Sequence, residues 1–228
     1  MTKKGISQEM LKLIACVTML LDHIGATLYP SLELRMIGRI SFPIFCFLLS
    51  EGIYHTKNPK KYGVRMFLGI LLAEIPFDLL FYHRLTLLHQ SVMVTLFLGF
   101  LYGTIQKKIE KMGHKLLLVL PFLLLAEVLC SDYGGWGVAT VAFFVLTRDL
   151  SGRWLAQLIG LALINWMIGG ARISVGSVWV PIQVLAVFSL IPIRCYRGRK
   201  ISNARWTQIG FYLFYPLHIL VLYLIRSL

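Results

Sequence analysis

The chain reads as an all-α, polytopic transmembrane helix bundle of about nine spans, with its N-terminus cytoplasmic, its C-terminus outside and a single domain over 1–228. Three observations lead there. Of the 228 residues 57% are hydrophobic and only 14% charged, with a mean hydropathy of +0.74, far from the usage of a soluble domain. A Gly, Ser or polar break recurs roughly every 25 residues, about the length of one spanning helix with its connection. The basic residues alternate in the same rhythm: of the 23 Lys and Arg, all but Arg35, Arg39, Arg84, Arg172 and Arg226 fall in segments that this topology places inside, as the positive-inside rule requires. The net charge of +13 is thus accounted for by topology, and no nucleic-acid partner is expected.

The first span, 10–29, follows Lys3 and Lys4. It is too long for a signal peptide, carries Asp22 and His23, and is followed by no A-x-A-like cleavage site. The second, 34–54, and the third, 62–82, contain Pro43 and Pro76, each expected to kink its helix and free a backbone carbonyl. In the fourth, 89–106, Gly99 and Gly103 form a small-x-x-x-small pair suited to close helix packing. The remaining spans are 115–131, 134–147, 153–170, 178–193 and 206–226, the last with Pro216. Short connections, with RCYRGRKISNAR the longer one, allow one compact bundle. Cys16, Cys46, Cys130 and Cys195 show no C-x-x-C spacing and read as packing residues.

Ionisable groups inside hydrocarbon are costly and mark function by default. At about 1.5 Å of rise per residue, His23 and Arg39 lie about 8–9 Å below the outer boundary, and Glu74 and His218 about 12 Å. Asp78 follows Glu74 by four residues on one helical face. Ser91 opens the fourth span, Glu127 ends the fifth and Asn165 comes late in the seventh. Gathering these groups at one depth from several helices describes a wet, shaped cavity. The plainer alternative is that Arg39 pairs with Glu74 or Asp78 merely to hold helices together. Because neighbouring helix residues point about 100° apart, Glu74 or Asp78 is a better candidate than Asp22 to orient His23. No Glu-x-x-His or His-x-x-x-His spacing supports a metal, and none is expected.

Five blocks, LLDHIGATLYP, LRMIGRISFPIFCFLLSEGIYHTKN, LLAEIPFDLLF, SDYGGWGV and FYLFYPLHILVLYLI, closely resemble, in order and spacing, the TraX family of integral membrane proteins, named for a conjugation protein that acetylates the N-terminus of pilin. The resemblance covers nearly the whole chain. Ser91 in HQSVMVTLFLG stands where family members tend to have Asn. TraX proteins in turn look like distant relatives of membrane acyltransferases that use acetyl-CoA, and that resemblance implies His23 and Arg39 as the positions concerned with catalysis or acyl-donor binding.

Acyl transfer needs a base for the acceptor's proton and a positive group where the thioester oxygen becomes negative. The expected catalytic residues are therefore His23, Asp22 and Arg39, with Glu74, Asp78, Ser91, Asp132, Tyr215 and His218 supporting them or binding substrate. Acetyl-CoA is the expected co-substrate, and Arg194, Arg197, Arg199 and Lys200 in RCYRGRK form the densest candidate clamp for its phosphates. The other partners are the bilayer and an acceptor with an amine or hydroxyl, such as a peptide N-terminus or an envelope glycan or lipid. The resemblance implies a bacterial cytoplasmic (inner) membrane. A proton-coupled transporter or exporter is the rival function, since Asp, Glu and His within spans also suit a proton relay.

Overall fold

The computed structural model describes residues 5–198 and 205–228, and it is mostly helical. Helix α1 (Gln8–Thr27) starts where Ser7 Oγ accepts from Met10 N–H at 3.2 Å, with Glu9 in the first turn. That arrangement satisfies an orphan amide and complements the helix dipole. After the Tyr29–Pro30 bend come α2 (Leu32–Gly38) and α3 (Ser41–His55). The sequence reads 34–54 as one span; the structure breaks it at Arg39–Ile40. Pro43 is the physical reason, because its ring lacks an N–H and clashes with the carbonyl four residues earlier, that of Arg39.

Helix α4 (Pro59–Tyr82) begins with Asn58 capping Lys61 N–H at 2.9 Å and Pro59 in the first turn, and stops at His83 in the left-handed region. Next come α5 (Val92–Ile105), α6 (Met112–Val128), α7 (Gly134–Thr147) and α8 (Arg153–Ile168). Where a loop and the start of an eighth span were expected, an antiparallel hairpin stands instead. It pairs β1 (Arg172–Val175) with β2 (Val178–Pro181). Alternating Ile173, Val175, Val178 and Val180 around Gly176–Ser177, with Gly176 at φ +62°, is what a tight hairpin demands. A 3-10 segment, Ile182–Ser189, then runs into α9 (Leu190–Cys195), and α10 (Arg205–Arg226) closes the chain.

Helix α3 is central, packed on α1, α5, α7 and the 3-10 segment, while α4 and α10 pair beside α1. The main core joins Leu11, Phe42, Phe47, Phe100, Tyr102 and Phe144, and a second core joins Met19 to Phe77, Leu80, Tyr215 and Ile219. Outer faces of α4, α6 and α8 expose Leu71, Leu72, Leu117, Leu124, Ile159 and Leu163, as helices bordered by lipid do. Among the described residues, three segments meet both the length and the hydropathy needed to cross a bilayer: Gln8–Thr27, Leu32–His55 counted through its break, and Ile209–Arg226. Gly134–Thr147, Arg153–Ile168 and Ile182–Cys195 are apolar but shorter.

The two spaced glycines of α5 sit at close crossings. A Cβ on Gly99 would fall 2.7 Å from Val141 Cβ, and one on Gly103 2.7 Å from Ile53 Cδ1. Gly99→Val should therefore overpack the α5–α7 contact and cost about 1–3 kcal/mol. A thermal unfolding scan in detergent checks this, and an unchanged Tm would contradict it.

Candidate functional site

The site begins where α1 meets α2. A Cβ on Gly38 would overlap the Asp22 side chain, so only glycine lets α2 approach this closely. Asp22 Oδ2 accepts from Arg35 Nη1 at 2.7 Å, and Asp22 Oδ1 accepts from Arg39 Nη2. Arg39, placed at the Pro43-induced break, also donates from Nε to Arg35 O at 3.1 Å and from Nη1 to Gln183 Oε1 at 2.8 Å. Gln183 Nε2 in turn donates to Asn165 Oδ1 at 3.1 Å. A buried polar chain thus links α1, the α2–α3 break, the 3-10 segment and α8. Within this trio one carboxylate answers two guanidiniums, and the Asp132 carboxyl is a second acidic group close enough to interact with them. Among the described contacts Arg39 uses three of its five N–H groups.

His23 faces α10. His23 Nδ1 lies 2.8 Å from His218 Nε2, and His218 Nδ1 lies 2.7 Å from Phe214 O. A carbonyl can only accept, so in the neutral pair His218 carries its proton on Nδ1 and its Nε2 accepts from His23 Nδ1–H. His23 Nε2 is therefore the unprotonated nitrogen, the form a general base requires. Phe81 and Tyr215 flank the ring edge-on, at centroid distances of 5.6 and 6.4 Å.

The carboxylate expected to orient His23 is replaced by this second imidazole, and the expected partner of Arg39 is replaced by Asp22. Glu74 instead accepts from Ser91 Oγ at 2.7 Å and from Ser91 N–H. Asp78 accepts from Thr86 N–H at 2.8 Å, and its buried Oδ1 has no partner among the described residues. Both carboxylates brace the α4–α5 connection, and Glu127 likewise holds Gly135 N–H at 2.8 Å.

Asp132 and Tyr133 come from the connection between α6 and α7. Cys130 at φ +47° and Tyr133 at φ +65° are two non-glycine residues in the left-handed region within four positions. Such strain persists only where surroundings over-determine it. Here Asp132 N–H donates to Gln90 O at 2.8 Å, Thr95 Oγ1 donates to Asp132 O, and the Tyr133 ring stacks on Phe42 with centroids 4.0 Å apart. The one described bond to the Asp132 carboxylate comes from Tyr133 N–H at 3.1 Å. Surrounding protein pushes this carboxyl from the ordinary 3.8 up to about 6, against the pull of Arg39. The folded protein therefore retains a proton that the unfolded chain has released between roughly pH 4 and 6, and stability falls as pH rises through that window. Asp132→Asn should gain in Tm relative to the unaltered protein as pH rises from 4 to 7. The same Tm difference at both ends of that range would contradict it.

A cavity of about 1080 Å³ joins these groups, at the top of the size range of ligand pockets. One end is lined by Asp22, His23, Arg35, Arg39, Asp132, Tyr133, Gln183 and Tyr215; the other, along the first turns of α1, by Glu9, Lys12, Glu51, His55 and Arg65. Arg194 lies outside the lining, with its guanidinium 5.3 Å from the centre of the Trp154 ring. Arg197 also lies outside it and donates its backbone N–H to Ile6 O at 3.3 Å; Arg199 and Lys200 are outside the described residues. No group of three His, Cys, Asp or Glu among the described residues is arranged to hold a metal.

The TraX protein family matches residues 7–226. The chain belongs to the TraX family. Among its relatives is the probable fimbrial assembly protein FimC, serogroup H1, of Dichelobacter nodosus, 30% identical over 231 residues, covering 93% of this chain and 92% of that protein. An uncharacterized protein of Rickettsia prowazekii (strain Madrid E), RP591, is 35% identical over 96 residues, or 42% of this chain and 36% of that one. No solved structure matches. Within this TraX protein, Arg35, Tyr133 and Gln183 join the site without having been singled out in the sequence. Arg35 had a signal, standing four residues before Arg39 on one helical face, and Gln183 is a lone amide in an apolar run. Tyr133 had none beyond its place in SDYGG.

Proposed function

We propose that this TraX protein is a membrane acyltransferase that moves an acetyl or related acyl group from a cytoplasmic CoA thioester to an amine or hydroxyl acceptor. The single observation that carries the reading is His23, with its Nε2 lone pair fixed by His218, on the same cavity as Arg39 and continuous with the Lys12 end. In the reaction His23 Nε2 takes the acceptor's proton as its N or O attacks the thioester carbon. The carbonyl oxygen becomes negative beside the Arg35–Arg39 pair, in a low-dielectric site where that charge is strongly stabilised. Collapse expels the CoA thiolate, which regains the proton from the His23 imidazolium, so protons balance over the turnover.

About nine spans, an inside N-terminus and a bacterial inner membrane belong to the same proposal. In that topology the cationic Lys12 end opens to the cytoplasm and the His23 end lies in the outer half of the bilayer. The family's association with pilin acetylation and the fimbrial assembly relative favour a secreted peptide's N-terminal amine as acceptor.

The test is acceptor-free. Protein purified in detergent should be thermally stabilised by CoA and should slowly release free thiol from acetyl-CoA. Absence of both, with substrate-driven proton flux in liposomes lacking any thioester, would replace this reading by the transporter.

A further inference from the structure

Resting on the acyltransferase reading, we propose that Lys12 and Arg65 bind the phosphate groups of the acyl donor, at the far end of the cavity from His23. Two independent observations carry this, one of length and one of charge.

Lys12 and His23 lie on the same helix, both line the cavity, and at 1.5 Å per residue they are about 16 Å apart along α1. The pantetheine arm of a CoA thioester, from its phosphate oxygen to sulfur, has as many bonds as four residues of extended chain, about 14 Å. A thioester carbon beside His23 Nε2 therefore brings the phosphates to the level of Lys12. The two sites are spaced for one extended donor.

The cations at that level are gathered by neighbouring residues of α10. Lys12 Nζ lies 5.1 Å from the Phe211 ring centre, and Arg65 Cζ lies 6.0 Å from that of Tyr212 and 5.5 Å from that of Tyr62. An aromatic face attracts a cationic head and fixes its place. No ion pair engages Arg65 among the described residues. Of the carboxylates lining this end, Glu51 is occupied by Arg148 at 2.9 Å and by His55 at 3.5 Å, and Glu9 lies one turn before Lys12. Oxyanions with several charges, such as a pyrophosphate, fit this setting. Anionic lipid headgroups offer the same chemistry, so the test separates the two sources.

Turnover of acetyl-CoA is compared with that of acetyl-pantetheine, which lacks the phosphates, in nanodiscs of neutral lipid. Lys12→Gln and Arg65→Gln should each raise KM for acetyl-CoA roughly tenfold to a hundredfold, the cost of a lost charge-assisted contact. Both should leave kcat and all acetyl-pantetheine kinetics within about twofold; Lys12→Arg, which keeps the charge, should largely restore KM, and Arg65→Lys, which keeps the charge but loses the stacked guanidinium plane, should restore it in part. Unchanged KM in both Gln variants overturns the proposal and returns the phosphates to the 194–200 segment. An effect that appears only when anionic lipid is added, with no change in donor preference, assigns the cations to headgroups and also overturns it. If the unaltered protein uses neither thioester, the acyltransferase reading has failed and this inference falls with it. Turnover of acetyl-pantetheine with no preference for acetyl-CoA sinks the phosphate site alone.

Discussion

Replacing His23 by alanine should lower acyl transfer by about two to four orders of magnitude, the usual worth of a positioned general base. Folding should be little affected, because the ring is a cavity-lining group. The loss should lie in kcat, with KM for acetyl-CoA nearly unchanged, since donor binding is assigned to the opposite end. His218 acts through His23, so its variants grade the effect. His218→Ala removes the acceptor for His23 Nδ1–H and frees the imidazole to adopt the wrong tautomer. His218→Gln offers a carbonyl oxygen in its place and should retain more activity. Equal activity of the two His218 variants would contradict the relay from Phe214 O through His218 to His23.

The second large effect concerns stability. Asp22→Ala leaves Arg35 and Arg39 facing each other without their shared carboxylate, and removing one partner of a buried ion pair costs about 3–5 kcal/mol. The variant should unfold well below the unaltered protein and show little turnover. Arg39→Gln strands less charge, because Arg35 still answers Asp22 at 2.7 Å, and it should cost less. The double variant Asp22→Asn/Arg39→Gln should be more stable than the sum of its single changes predicts, because the two share one network. Strict additivity in that cycle would show that Asp22 and Arg39 do not depend on each other. Activity distinguishes the roles further: Arg39→Lys keeps a charge but loses the planar fork that reaches Asp22 and Gln183 together, so turnover should fall more than stability.

Much of the helical order is visible in composition and in the placement of Gly and Pro, because a helix that faces lipid must bury its own backbone groups and show apolar side chains. Helical rise set His23, Arg39, Glu74 and His218 at a similar depth; the structure brings His23 beside His218 and lines one end of the cavity with His23 and Arg39, while Glu74 turns to Ser91. Their partners are not visible. Whether Arg39 meets Glu74, Asp78 or Asp22 depends on a few tens of degrees at the Arg39–Ile40 break, and His23 finds His218 across 195 positions of chain. Charge density singled out RCYRGRK for the donor clamp; among the described residues Arg194 stands beside Trp154 and outside the cavity lining, whereas Tyr196 and Gly198 of the same segment line it. The hairpin at Arg172–Pro181 was hidden by its Val and Ile content, which reads equally as a span, although Gly176–Ser177 marked the turn.

The central claim is that one cavity carries an acyl group between two faces of the membrane, with His23 at the point of transfer. Proteoliposomes holding an amine-terminated acceptor peptide inside, and given labelled acetyl-CoA only outside, test it most directly. The account predicts labelled peptide in the lumen, free CoA remaining outside, and neither in the His23→Ala protein. Labelling only when donor and acceptor share a compartment, or labelling undiminished without His23, would contradict it.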